Sequence, residues 1–242
     1  MMIAIILAAG KGSRISKITQ NKPKSFLELS KNFSIIDYQI NILRKIDVKK
    51  ILVVTGYKDK YFKKKFKNDK DIKLLFNKQW SKTNVLSSFC LAIPHINDDF
   101  IFLHADSLIE IGIYKKLGKK DEIILPFKKR KCGYEEMKIY KILNKLYLSK
   151  NKLKKKYFGE FVGIAFFPKK SKKIIIEGIN FLKKNIKFKS FYFEEIINYI
   201  CKNKKIKVKV MDIKNSKYQE VDFFSDFKNA KKKFGKYNEK FF

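Results

Sequence analysis

Residues 2–7, MIAIIL, contain no polar side chain and run directly into AAGKGSR. A strand wetted on one face alternates polar and apolar residues, so an unbroken isoleucine-rich run belongs to a strand covered on both faces. Such strands occur in parallel sheets, whose crossover helices lie on both sides. This feature restricts the chain to an α/β fold. Later segments repeat it. Ser34 is placed to cap a helix on which Ile35, Ile36, Ile40, Leu43 and Ile46 recur at helical spacing. KILVVTG reads as a second strand ending at Gly56, followed by a lysine-rich helix over 58–67 and a short strand over 72–76. Residues 84–93 read as another helix, and DDFIFLHAD as a strand that ends on the polar cluster 104–106.

The second half changes character. IILPF, MKIYKI and KLYLSK are short, with turn-like breaks at 129–134 and at Asn144, which suits antiparallel strands added to the sheet. GEFVGIAFF reads as a glycine-bearing strand, 171–184 and 190–202 as helices, KIKVKVMDI as an alternating strand, and the stretch after Ser225 as a last helix. No internal repeat and no linker rich in Pro, Gly or Ser divides the chain. The expected architecture is one Rossmann-like α/β domain over 1–242. Its mainly parallel central sheet is flanked by helices, with antiparallel strands in a substrate-facing second half from about 129, after a first half of about 1–128. Ligands of such sheets sit at the carboxyl ends of the strands, where LAAGKGSR and HAD both fall.

Charge bears on what that ligand is. Lys and Arg number 57 against 23 Asp and Glu, for a net +34. Basic stripes bind nucleic-acid phosphates, but only three of these residues are arginine, and the lysines are scattered over every segment. Base readout favours the forked guanidinium, so the charge reads as a solvated surface with no specific nucleic-acid partner. Aromatic content of 15% and hydrophobic content of 45% argue for a folded chain. Cys90, Cys132 and Cys201 are odd in number and far apart, which fits a reducing cytoplasm better than a disulfide framework or a zinc site. The opening MMIAIILAAG lacks a basic flank and is interrupted at Lys11, so no leader is expected. No stretch reaches the ~20 apolar residues of a membrane span.

Small residues at Ala8, Ala9, Gly10 and Gly12 let backbone N–H groups approach a ligand closely, and oriented amides make an anion-binding concavity. Lys11 and Arg14 add positive charge. GxxxxGK[ST] is absent, and Ile15 stands where GxGxxG needs its last glycine. An ordinary strand-to-helix turn would explain one glycine and not the arginine. LAAGKGSRI followed by KPKSFLEL resembles the signature of the nucleotidyltransferase superfamily that includes sugar-1-phosphate nucleotidylyltransferases, L-A-A-G-x-G-[ST]-R-[LIM] and then P-K. The resemblance implies that Leu7, Ala8, Ala9, Gly10, Lys11, Gly12, Ser13 and Arg14 wrap a nucleoside triphosphate. It also implies Lys24 and Arg14 as the catalytic cations that neutralise its phosphates.

A triphosphate attacked at its α-phosphorus is shielded by its own charge, which a divalent metal offsets. Asp106 ends a buried strand beside the glycine loop, where family members similarly carry an aspartate, and EVD at 220–222 resembles the E-[IV]-D segment before the family's last helix. Asp106 and Asp222 are therefore the implied ligands of Mg²⁺, with Mn²⁺ as a substitute. FNKQWSKTNVLSSF is similar to the N-x(5,8)-T-N-x(2,3)-S-[LF] stretch of small cytidylyltransferases acting on phosphocholine or 2-aminoethylphosphonate, which adds Thr83, Asn84 and Ser88 to the nucleotide site. EEMKI, LSK, GEFVGIAFF, FYFEEIINYI and YQEVDFFSDFKNA follow in the order of those enzymes. HAD departs from the pattern, since an acidic or small residue is expected at His104; a base there is unnecessary because a substrate phosphate is already ionised.

By analogy with family lysines, Lys138 and Lys150 are candidates to grip the acceptor phosphate. Glu160, Glu195, Glu220 and Tyr192 suit an ammonium group through Coulomb attraction and cation–π contact. Helical spacing turns only one of Glu194 and Glu195 inward, and Glu195 is the expected one. The implied activity is Mg²⁺-dependent transfer of CMP from CTP to a small phosphorylated or phosphonylated amine-bearing acceptor, in the cytoplasm, for surface polysaccharide or lipid decoration. The alternatives are a sugar-1-phosphate nucleotidylyltransferase using another triphosphate and, from a different class, a basic module binding RNA or an anionic membrane.

Overall fold

The computed structural model describes residues 2–118, 121–203 and 205–237. Its strands are β1 (Met2–Ala8), β2 (Glu28–Ser30), β3 (Phe33–Ser34), β4 (Lys50–Thr55), β5 (Ile72–Phe76), β6 (Asp99–His104), β7 (Ser107–Ile109), β8 (Ile123–Lys128), β9 (Lys138–Ile142), β10 (Lys145–Ser149), β11 (Tyr157–Phe161), β12 (Ile164–Phe167), β13 (Val208–Asp212) and β14 (Tyr218–Glu220). The helices are α1 (Ser16–Thr19), α2 (Ile35–Lys45), α3 (Lys60–Lys65), α4 (Val85–Ala92), α5 (Ile111–Tyr114), α6 (Lys172–Lys183), α7 (Glu194–Asn203) and α8 (Phe224–Phe234).

Ten strands form one mixed sheet in the order β10-β9-β11-β8-β12-β6-β1-β4-β5, with β13 paired to β8. β6, β1, β4 and β5 run parallel, as the continuous apolar runs require. β12 is antiparallel to β6, and β11, β9 and β10 continue the sheet antiparallel. The sheet therefore passes without a break from the first half of the chain into the second. β1 alternates its side chains between two covered faces. Ala4 and Ile6 pack with Ile36 and Leu43 of α2 and Phe234 of α8. Ile3 and Ile5 face the layer of Phe89 of α4, Ile175 of α6 and Ile197 of α7. Each fully buried large apolar side chain of this kind contributes about 1.5–3 kcal/mol. No helix among the described residues is long and apolar enough to cross a membrane.

Besides short elements with no sequence signal, such as the β2–β3 pair, these details depart from the sequence reading. GEFVGIAFF is two strands, because Gly163 adopts φ +73° between β11 and β12, where a Cβ would come within 2.4 Å of Ser107 Oγ. The helix expected from 190 begins at Glu194, since 188–190 forms a 3-10 turn and Phe191 is extended. The two-stranded pair β7–β14 is new; three residues per strand are too few to show a period.

Candidate active site

β1 and β6 are neighbours in register, with Leu7 opposite His104. Their following loops thus leave the same carboxyl edge of the sheet, and the Ala105 amide donates to Leu7 O at 3.3 Å. The glycine loop is held at both ends: Gly12 turns the chain at φ +64°, its carbonyl accepts from Ile15 N, and Ile15 is buried. Lys24 opens a 3-10 turn after Pro23 and is anchored by Phe26, whose ring lies edge-on to Phe62 at 4.9 Å. Asp222 arrives from the other half through the β7–β14 pairing. Glu220 sits opposite Ser107, Val221 N donates to Asp106 O at 3.1 Å, and the Asp222 amide donates to the α8 capping carboxylate of Asp226.

These supports bring three charged groups together. Lys24 Nζ lies 2.6 Å from Asp106 Oδ2 and 3.0 Å from Asp222 Oδ1. Burial alone would push the Lys24 ammonium down, but the two carboxylates outweigh it and hold the lysine above its ordinary value. Burial pushes the Asp106 carboxyl up; Lys24, and then His104, more than reverse it. Half-buried Glu220 is raised well above the usual carboxylate range, by burial first and then by Asp106, Asp222 and Glu160. Arg14 completes the group, with Nη1 at 3.4 Å from Asp222 Oδ2 and Nη2 at 2.8 Å from Glu135 Oε2.

The bridge stands between two cavities. One of about 150 Å³ is lined by Gly10, Gly12, Lys24, Val85, His104 and Asp106. The other, of about 180 Å³, is lined by residues that include Arg130, Glu135, Tyr218, Glu220 and Asp222. Leu7 and Ala8 also border the first, and Ala9 O accepts from Tyr57 N; Lys11 and Ser13 are exposed on the loop. Beside it the hydroxyls of Thr83 and Ser88 accept from Asn77 Nδ2 at 3.2 and 3.0 Å, and Asn84 Oδ1 caps α4 through Val85 N. Thr83, Asn84 and Ser88 thus shape the wall through internal bonds, while Val85 forms part of its lining.

The acceptor-side expectations divide. Lys150 and Tyr192 do come together, but on each other, with the ammonium 4.9 Å from the ring centroid. Glu160 is 0% exposed and paired with Arg130 Nε at 2.6 Å, and it accepts from Tyr218 Oη at 3.2 Å. Its carboxyl is still raised, because burial outweighs Arg130. Lys138 is also fully buried, donating to the carbonyls of Glu136 and Lys150 at 2.9 and 2.6 Å, so its ammonium ties two chain segments and has no open face for a phosphate. The choice of Glu195 over Glu194 is reversed. Glu194 shares the inward face of α7 with Ile197 and Cys201, is 3% exposed, and lies 3.8 Å from His104 Nε2. Glu195 instead lies toward Asn198 and Tyr147, on the seam between α7 and β10.

Sequence reasoning missed Arg130, Glu135 and the His104–Glu194 pair. Arg130 carried a usable signal, being one of only three arginines; the other two contacts depend on pairing distant in sequence.

The family model described as Nucleotidyl transferase matches residues 3–122. A CTP:phosphoglutamine cytidylyltransferase of Campylobacter jejuni is 27% identical, over 93% of this chain and 97% of that protein. A choline-phosphate cytidylyltransferase of Haemophilus influenzae is 35% identical over 47% of each chain. Among solved structures, the CTP:phosphocholine cytidylyltransferase of Streptococcus pneumoniae superposes with a TM-score of 0.74 at 21% identity, over 96% of this chain and 98% of that one. The inositol-1-phosphate CTP transferase of T. maritima gives 0.76 at 22% identity, over 96% of both chains. These two establish the Rossmann-like nucleotidyltransferase fold.

Proposed function

Because the chain belongs to the nucleotidyl transferase family, we propose that it transfers CMP from CTP to a small phosphorylated or phosphonylated acceptor bearing an amine, releasing pyrophosphate. The observation that carries this reading is Lys24 Nζ held between Asp106 and Asp222 at the mouth of the glycine loop. A lysine there stays protonated, and two carboxylates face it from opposite halves of the chain. CTP over the other triphosphates is supported by the relatives named as cytidylyltransferases, one of which matches along nearly its whole length.

The two aspartates fit Mg²⁺. They offer only hard oxygen donors, and Asp106 Oδ1 is enclosed without a hydrogen-bond partner. Among the described residues no cluster of three or more potential ligands forms a ready-made cage. Mg²⁺ suits that, since it takes one or two carboxylates and completes its shell with phosphates and water. When bound it would neutralise phosphate charge. In the reaction, loop amides and Arg14 hold the triphosphate, and Lys24 opposes the charge that builds on it. An acceptor phosphate oxygen forms a bond to the α-phosphorus in line as the bond to the β-phosphate bridging oxygen breaks. The electron pair of the broken bond leaves on the pyrophosphate oxygen, where the one negative charge given up by the attacking oxygen reappears, so no proton transfer is needed. Glu220, which lines the second cavity, is the carboxylate offered to the acceptor's cationic end, and a cytoplasmic role in activating a head group for surface decoration is part of the same proposal.

The test is a pyrophosphate-release screen crossing CTP, UTP, GTP and dTTP with phosphocholine, aminoethylphosphonate, phosphorylated amino acids and sugar-1-phosphates, with Mg²⁺ and with Mn²⁺. Release is expected in the CTP row. Silence there, with release from a sugar-1-phosphate and another triphosphate, overturns the reading.

A further inference from the structure

Glu135 lies in the loop between β8 and β9 and opens the EEMKI segment, but no role was assigned to it above. Its Oε2 is 2.8 Å from Arg14 Nη2 and 3.7 Å from Lys150 Nζ. Arg14 comes from the glycine loop and Lys150 from just past β10, so cations of the two halves converge on one carboxylate oxygen. Each cation has a second support that does not depend on Glu135. Arg14 lies 5.7 Å from the Phe223 ring centroid and near Asp222, and Lys150 lies over Tyr192. Removing the carboxylate would leave two positioned positive charges facing one point.

The pairing is open to water, with side-chain exposures of 43% for Arg14, 28% for Glu135 and 31% for Lys150. Ion pairs this exposed hold weakly and exchange readily. A phosphate offers more charge and more acceptor oxygens than a carboxylate, and a guanidinium fork matches it well. We propose that Glu135 is the resident occupant of an anion seat shared by Arg14 and Lys150, and that a phosphate or pyrophosphate group displaces it on binding. The nucleotidyl-transfer reading supplies only the source of that group, acceptor phosphate or departing pyrophosphate. Glu135 then acts as an internal competitor. It screens the two cations in the free protein, and a ligand must carry enough charge to displace it.

The experiment is titration calorimetry of inorganic pyrophosphate, and separately of phosphocholine, into the full chain and its Glu135→Gln variant. Glutamine keeps the side chain's size and removes its charge. Glu177→Gln on α6, which breaks a surface pair with Lys205, corrects for the general effect of one fewer negative charge. E135Q is expected to bind at least one of the two ligands about threefold more tightly or better, with E177Q within twofold of wild type, as suits an exposed pair. Tightening of pyrophosphate alone assigns the seat to the leaving group, and of phosphocholine alone to the acceptor. Unchanged affinity for both, or equal tightening in E177Q, overturns the proposal. If no triphosphate is consumed but E135Q still tightens, the activity fails and the seat stands. If CTP is consumed and E135Q does not tighten, the seat fails and the activity stands.

Discussion

In residues 2–118 the functional side chains hang from strand ends and from loops pinned by the backbone. Beyond residue 121 they lie on short antiparallel strands, as Lys138 and Glu160 do, or on the loops beside them, and their side chains are pinned largely by one another. Gly10, Gly12, Lys24 and Asp106 all lie within a turn of β1, of the Pro23 bend or of β6, so the parallel sheet fixes where they point. Arg130, Glu135, Lys138, Lys150 and Glu160 are set by ion pairs and carbonyl bonds between segments. The first half is organised by the backbone itself. The second is organised by contacts that a few substitutions could rearrange, and under the proposed function that is where acceptor selectivity would lie.

If that division is right, damage to the two halves should look different. Lys24→Ala strikes the fixed half and gives the largest effect: turnover should fall at least tenfold and on the order of a hundredfold, as for loss of a charge-stabilising donor. Far-UV circular dichroism should not change, and near-normal turnover would break the comparison. Arg130→Ala strikes the adaptable half and should act first on stability. Glu160 would be left enclosed without its cation, at a cost of about 2 kcal/mol in denaturant unfolding, less than for a fully enclosed pair because Arg130 is itself 45% exposed. CTP affinity should hold in that variant, and its loss would mean the halves are not separable. Gly12→Ala should be milder. It forces a left-handed residue and crowds Lys24 Cβ at 3.1 Å, for about 1 kcal/mol or a fivefold weaker apparent CTP affinity.

The smallest effect asks whether both halves open together. Burial pushes the Cys90 thiol of α4 up to about 11 and the Cys201 thiol of α7 up to about 12. Because both are raised, the neutral thiol predominates at pH 8, and reactivity should climb only as pH approaches those values. Iodoacetamide should modify both slowly in the native chain and rapidly in denaturant. Equal protection supports a single cooperative unit; rapid labelling of Cys201 alone would show the second half opening by itself.

The sequence was legible where local pattern decides structure. Continuous apolar runs gave the parallel strands, and LAAGKGSR with KPK gave a loop and lysine that the fold brings beside Asp106 and Asp222. It was least legible where lysine is abundant, since in a chain this rich in the residue neither Lys138 nor Lys150 stands out, and only burial separates a tie between carbonyls from an open cation. Glu194 against Glu195 turned on where α7 starts, and a start four residues later than expected settles which side chain shares the face of Ile197. Arg130 was readable by the same scarcity that marks Arg14. Glu135 fell in the matched EEMKI segment, but nothing local gave it a role, because its partners lie 121 residues before it in Arg14 and on the far side of a hairpin in Lys150.

If Lys24, Asp106 and Asp222 form a triphosphate and divalent-cation site joining the two halves, metal and nucleotide should bind together. The CTP-induced shift in melting temperature, with and without Mg²⁺, for the wild-type chain and its Asp222→Asn variant reads this out. A ligand that binds only the folded state raises that temperature in proportion to its binding free energy. A larger rise with Mg²⁺ than without is expected in the wild type, with loss of that difference in the variant. Equal rises regardless of metal, or a rise with an RNA oligomer and none with CTP, would contradict it.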